Sequence, residues 1–395
     1  MIRLPFIRLV AFSLATMAAA GGVQAAEIGS GSTVDVYWTQ FLGAAVGGDG
    51  DDELQYGGKV DVLVDVDGRD VGLWQGFSIN LRPEFRYGDS VDESGAPVLL
   101  PANVAMTFPT GDGEDFDLAL SFTQTFGKTS LTAGKINMLD TTRRIPLVGG
   151  AGVEGFQHTG LAAPPSLITP PTILGALLTT PTPLGVLTVG VWDTASAVNL
   201  SGLGDAFEDD VAGMVSLTVP RKLRGRSGFH HLTVFANDKR GLDLEDIPEL
   251  FLPDDSEAVL DEKRGAWHVK YAFEQYLWQS TDGARGWGVF GHAGLWDGNP
   301  SAMHWNVSLG IGGSSPFDSR PLDRFGIGYY RLSLSDALRR GLRPVLALDD
   351  EQGIEIFYTW RLGWVRLTAN AQFVDSGIES ADSTTFVGVR AQVSL

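Results

Sequence analysis

The chain has 395 residues, a formal net charge of −19, 50 glycines, 10% aromatic residues and no cysteine. A charge of that sign repels nucleic acid. The missing cysteines exclude disulfide frameworks, thiolate metal sites and cysteine nucleophiles, and they suit an oxidising envelope compartment.

Arg3 and Arg8 flank the start of an apolar run over residues 9–20, and Val23-Gln24-Ala25 resembles an A-x-A cleavage site. Residues 1–25 are therefore expected to be a secretory signal, with the mature chain from Ala26. The run is too short for a membrane-spanning helix. The next most apolar stretch, residues 161–191, is interrupted by Pro164, Pro165, Pro170, Pro171, Pro181 and Pro183. Beyond the leader, alternation with period 2 replaces helical periodicity almost everywhere. In FSINLRPEFRYG (residues 77–88), Phe77, Ile79, Leu81, Pro83, Phe85 and Tyr87 alternate with Ser78, Asn80, Arg82, Glu84 and Arg86. Sixteen such strands are predicted, centred on residues 34–41, 60–66, 77–87, 116–126, 129–137, 172–180, 184–193, 211–220, 229–237, 267–279, 287–296, 304–312, 324–334, 353–361, 364–373 and 384–395. A short run at residues 104–108 is assigned to a loop.

The connections alternate in length. Short turns at Gly127-Lys128, residues 181–183, 221–227, 280–286 and Leu362-Gly363, with a longer one at 313–323, would lie on the periplasmic side. Residues 88–115, 138–171, 238–266 and 335–352 would form outer loops, among others, and the long acidic segments fall on that outer side. Tyr358, Trp360 and Trp364 flank one turn, and Phe373 sits at the far end of the next strand, as two interfacial girdles require. The predicted fold is all-β: a 16-stranded transmembrane antiparallel β-barrel over residues 26–395, which alone leaves no unpaired strand edge in lipid.

GWGVFGHAGLWDGNP (residues 286–300) and SRPLDRFGIGYY (residues 319–330) resemble the hallmark of the OprB family of carbohydrate-selective porins. FTQTFGKTSLTAGKIN (residues 122–137) and EIFYTWRLGWVRLTANAQF (residues 355–373) look like that family's early and penultimate hairpins. Two departures stand out. Where the family carries Pro-Asp-Leu-Gln-Tyr, this chain has Ala369 to Phe373 and keeps Gln372, and His292 stands where members often carry Arg. The resemblance implies a barrel in the outer membrane of a Gram-negative bacterium, in contact with lipid and lipopolysaccharide. It would pass sugars by diffusion, as a monomer or a homotrimer.

A sugar-selective pore needs planar hydrogen-bonding groups and flat apolar faces in a wet constriction. The expected lumen face carries Arg82, Glu84, Arg86, Lys270, Glu274, Glu355, Arg361, Arg366, Asn370, Gln372 and Arg390, with Phe290, His292, Trp296 and Phe357 as stacking groups. Three adjacent charges at Arg82, Glu84 and Arg86 suggest a directed field. Residues 138–171 resemble the porin loop that folds inward, and Arg143 and Arg144 on it are candidates for setting the eyelet charge. No motif implies a cofactor, a metal site or an enzyme. GDGEDFD lacks the order of a calcium loop, and His230 and His231 point to opposite faces of a strand. No Gly-x-Ser-x-Gly or His-Glu-x-x-His occurs. Passive diffusion of glucose-sized sugars is the leading expectation. A general, cation-preferring pore is the alternative, motivated by the acidic charge.

Overall fold

The computed structural model describes residues 26–27, 31–107, 114–143, 145–165, 170–195, 204, 206–208, 210–251 and 260–394. The expected leader, residues 1–25, lies outside them, as do Arg144 and the first three residues, 111–113, of the acidic motif GDGEDFD. Sixteen long strands follow one another: β1 (Thr33–Gly47), β2 (Gln55–Asp67), β3 (Phe77–Gly88), β4 (Glu114–Phe126), β5 (Thr129–Asn137), β6 (Thr172–Pro181), β7 (Val186–Asp193), β8 (Val211–Leu223), β9 (Arg226–Leu242), β10 (Glu262–Gln279), β11 (Gly286–Trp296), β12 (Met303–Ser314), β13 (Arg324–Leu334), β14 (Glu351–Leu362), β15 (Val365–Asp375) and β16 (Thr384–Ser394). Each pairs antiparallel with its neighbours, and β16 pairs with β1, so the sheet closes into a barrel. A two-residue piece, Ala26–Glu27, bridges to the start of β1.

Alternation fixes which way each strand faces, and here it is inverted relative to a water-soluble sheet. On β4, Phe116, Leu118, Leu120 and Phe122 are exposed, whereas Asp117, Ala119 and Ser121 are buried. On β14, Ile354 and Ile356 are exposed while Glu355 is buried. An apolar outside and a polar inside are what a lipid-embedded barrel requires. Exposed aromatics gather at both rims. Trp74, Phe126 and Trp360 lie at the short-turn end, and Phe85, Trp267 and Phe373 at the other.

The turn lengths behave as expected. Short turns such as Gly127-Lys128, Arg224-Gly225 and Gly363-Trp364 join strands at one end. Arg224 (φ 51°) and Gly225 (φ 80°) both take positive φ, the geometry of a two-residue hairpin turn that matches strand twist. The hairpin of β9 and β10 extends well past its expected outer limits, to Leu242 and Glu262. Pro83 produces no bulge. The β2–β3 ladder keeps one register but skips the pairs between Asp61/Glu84 and Val64/Leu81, where proline has no N–H to donate. Residues 104–107 are loop, not strand.

The barrel is not hollow. The largest apolar cluster joins Leu139, Leu147, Val148, Phe156 and Leu161 of the loop after β5 to Phe290, Tyr330, Leu332 and Phe357 of the wall. Leu100 and Val104, from the loop after β3, belong to the same cluster. Both long loops therefore fold back inside.

Candidate functional site

The loop after β5 begins as Asn137 accepts from Leu139 N at 2.9 Å, starting a short helix, α1 (Leu139–Arg143). It then runs across the lumen to a second turn, α2 (Thr159–Ala162). A berth of glycines receives it on β12 and β13. A Cβ at Gly328 would sit 2.7 Å from Leu161, and one at Gly326 would lie 2.8 Å from Phe156 and would collide with Phe357. Phe156 meets the rings of Phe290 at 5.3 Å and Phe357 at 4.9 Å between centroids, both edge-on. The faces of Phe290 and Phe357, expected to be free for stacking, are thus covered by loop side chains.

Buried irregular backbone must find hydrogen-bond partners, and the wall carboxylates supply them. Glu274 accepts from Leu147 N and Val148 N at 2.9 and 3.1 Å. Glu355 accepts from Gln157 N at 2.8 Å and His158 N at 2.9 Å. Glu351 accepts from Leu100 N at 3.0 Å and also from Leu99 N. Cations and amides take the carbonyls. Arg390 donates to Gly152 O and Gly155 O at 2.6 and 3.0 Å, and Gln372 donates to Ala102 O at 2.9 Å. Asn370 Nδ2 reaches Gln157 Oε1 at 3.2 Å. Arg366 binds Glu154 Oε1 at 2.6 Å. Burial alone would push Glu154 up, but Arg366 and Arg143 hold its carboxyl below the usual carboxylate range. His158 Nδ1 accepts from Gly160 N at 3.0 Å, while burial lowers its pKa to about 3 and keeps the ring neutral. A neutral ring with Nδ1 accepting must carry its proton on Nε2. That N–H then donates to Tyr330 OH at 3.1 Å, and Tyr330 donates to Glu351 at 3.0 Å.

The opposite wall carries side-chain ion pairs instead. Lys59 lies 2.8 Å from both Asp61 and Glu84, and Arg86 lies 3.1 Å from Glu84. Arg82 contacts Asp65 at 3.2 Å and Asp140 of α1 at 2.9 Å, and Arg143 contacts Asp61 at 3.3 Å. Four cations face four carboxylates, so the field expected of Arg82, Glu84 and Arg86 is compensated rather than bare. Arg143 also stands 5.0 Å over the Tyr37 ring.

Of the residues singled out from the sequence, Arg82, Glu84, Arg86 and Arg143 meet in this ladder. Glu274, Glu355, Arg366, Asn370 and Gln372 hold loops. Arg361 stays partly exposed beside the last turn. Lys270, Glu274, Phe290 and His292 line a cavity of about 270 Å³ between the loop and β8–β11, with Thr218, Phe229 and His231. Trp296 lines a second cavity of about 410 Å³ further along the same strands, with Phe235, Asn237 and His268. Lys59, Asp61, Asp65 and Glu351 were missed. The first three sit on one face of KVDVLVDVD (residues 59–67), against Val60, Val62, Val64 and Val66 on the other. The signal that exposed Arg82 was present there too. Asp117, the described end of the acidic motif, pairs with Lys135 at 2.6 Å, and no group of potential metal ligands occurs among the described residues.

Comparison with known proteins agrees with this architecture. The family model described as "Carbohydrate-selective porin, OprB family" matches residues 51–395. The chain belongs to the OprB family. Porin B of Pseudomonas aeruginosa is 24% identical over 185 residues, 42% of this chain and 40% of that protein, so the match spans less than half of the curated relative. The high-pH structure of Pseudomonas putida OprB superposes with a TM-score of 0.79 at 15% identity, covering 92% of this chain and 94% of that one. Its low-pH structure gives 0.53 at 14% identity, covering 92% and 93%. At such identities the likeness concerns the fold. Together with the family, it places this barrel in the outer membrane of a Gram-negative bacterium, and its architecture is that of a channel.

Proposed function

We propose that the barrel lets neutral, glucose-sized sugars diffuse passively across the outer membrane, and that residues 138–171 form its constriction. One observation carries the reading. The two cavities lie one beyond the other along β9, β10 and β11, and each mixes hydrogen-bonding groups with flat apolar ones. A pyranose presents the same mixture, with hydroxyls at its rim and C–H faces above and below, and aromatic surfaces cover such faces well. Under this reading Thr218 and His292 meet hydroxyls while Phe229 and Trp296 meet the ring. Arg82, Glu84, Arg86 and Arg143 form the opposing charged wall.

Reconstituted protein should make liposomes swell in isosmotic glucose many times faster than protein-free vesicles. Equal rates would end this reading. The acidic chain, at −19, favours a second one, a general pore that concentrates cations. Sugar added to a planar bilayer separates the two. Block of the current at millimolar glucose supports a sugar site, and undisturbed current at all sugar concentrations supports the general pore.

A further inference from the structure

Among the described residues, six lysine and arginine side chains are buried inside the barrel: Lys59, Arg82, Arg86, Lys135, Lys270 and Arg390. Five have partners. Lys59, Arg82, Arg86 and Lys135 pair with carboxylates, and Arg390 with two carbonyls. Lys270, only 7% exposed, has neither a hydrogen bond nor an ion pair among the described residues. An ammonium withdrawn from bulk water without an anion is costly, and this one opens onto the 270 Å³ cavity.

The same cavity holds a second unmet group. Glu274 uses Oε1 for the loop backbone, and its buried Oε2 has no hydrogen-bond partner. Lys270 and Glu274 share one face of β10, four residues and about 13 Å of strand apart. Between them stands only Ala272, opposite His292 in the ladder. The floor is therefore small and apolar, and the ends are an unpaired donor and an unpaired acceptor. Phe229, Ile145 and Phe290 close the sides.

We propose that this cavity is a subsite for a sugar acid, a pyranose bearing one carboxylate. The carboxylate binds the Lys270 ammonium, the ring lies over Ala272, and a ring hydroxyl donates to Glu274 Oε2. A single free positive charge matches a monoanion, whereas a phosphate dianion calls for more than one cation or a bidentate arginine. Neutral sugars leave Lys270 unanswered. The inference rests on the reading of the barrel as a sugar channel and names a substrate class for one of its cavities.

The test uses the full-length protein in planar bilayers, with glucose and glucuronate as paired probes. Wild type should be blocked by glucuronate at a concentration about ten-fold lower than by glucose, the effect of one charge-assisted contact. Lys270→Gln should abolish that difference, and Lys270→Arg should keep it. Heat-modifiable migration on gels verifies that each variant is a folded barrel. Equal block of wild type by both probes overturns the proposal, as does an equal loss of both in Lys270→Gln. A shift of the KCl reversal potential in Lys270→Gln without any glucuronate preference in wild type also overturns it, since the site would then serve small ions only. Glucose-driven liposome swelling tells the two failures apart. Swelling without a glucuronate preference removes this subsite alone, and no swelling removes the sugar channel itself.

Discussion

The two sides of the barrel wall use buried charge differently. Along β2 and β3, carboxylates face cations from the neighbouring strand or from α1, as in Lys59 between Asp61 and Glu84 and Arg82 between Asp65 and Asp140. Along β10 and β14, Glu274, Glu351 and Glu355 face backbone N–H groups of the inner loops. The first arrangement pairs charge with charge within the wall and at the foot of the loop. The second turns a wall into an anchorage, because an irregular segment inside a barrel carries orphan N–H groups and a carboxylate can take two of them. Charge on the ladder side should therefore govern ion preference, and charge on the anchored side should govern how open the channel is.

Removing an anchor gives the largest expected effect. Glu355→Ala deprives Gln157 N and His158 N of their acceptor. Hydrogen bonds to a charged group contribute about 1.5–3 kcal/mol each, so loop docking should weaken by about 3 kcal/mol. We expect a several-fold rise in single-channel conductance, added gating noise and new protease cleavage within residues 145–165, with heat-modifiable mobility retained. Glu355→Gln, which keeps one carbonyl acceptor, should fall between. Wild-type conductance in Glu355→Ala would mean that the apolar berth of Phe156 holds the loop without help.

On both sides the direction of a side chain was legible in the sequence and its partner was not, for a physical reason. Strand alternation assigns each residue an inward or outward direction, and that sufficed for the sixteen strands, the closed barrel and the inward placement of Arg82, Glu84, Arg86, Glu274, Glu355 and Arg366. It does not say what an inward group meets. Glu355 reads as a free lumen carboxylate because its partners, Gln157 N and His158 N, belong to backbone, which every residue possesses. Phe290 and Phe357 read as stacking faces for the same reason, as nothing local to them announces Phe156. A weaker signal was available. Gly312, Gly326 and Gly328 lie beneath Leu147, Phe156 and Leu161 of the loop, and glycines repeated along one face mark a place where another segment approaches closely.

Charge reversal on the ladder should act on selectivity and spare the opening. Arg82→Glu would set a carboxylate beside Asp65 and Asp140, making that part of the wall net negative. We expect the cation-to-anion permeability ratio, read from reversal potentials in a KCl gradient, to rise about two- to three-fold, with conductance changed far less than in Glu355→Ala. The shift should shrink at high salt as screening grows. A rise in conductance equal to that of Glu355→Ala would show that Arg82, through Asp140, tethers α1 and belongs to the anchorage.

The smallest effect is expected where the two modes meet, at Glu154, a loop carboxylate paired with the wall cation Arg366 at 2.6 Å. Its folded pKa lies below the ordinary carboxylate value because Arg366 and Arg143 outweigh its burial. A depressed carboxylate pKa adds stability that is fully present above the unfolded value, near 4.3, and is lost as the pH falls through the lower folded value. The tether should therefore hold at pH 5 and give way only in stronger acid. Both partners are partly exposed, so its contribution is about 1 kcal/mol. Conductance measured from pH 7 downward should stay flat through pH 5 and rise below the usual carboxylate range. Glu154→Gln should remove part of that rise while leaving conductance at pH 7 within about two-fold of wild type. An acid response identical in the two proteins would assign it wholly to other carboxylates and leave Glu154 a surface partner with no part in the anchorage.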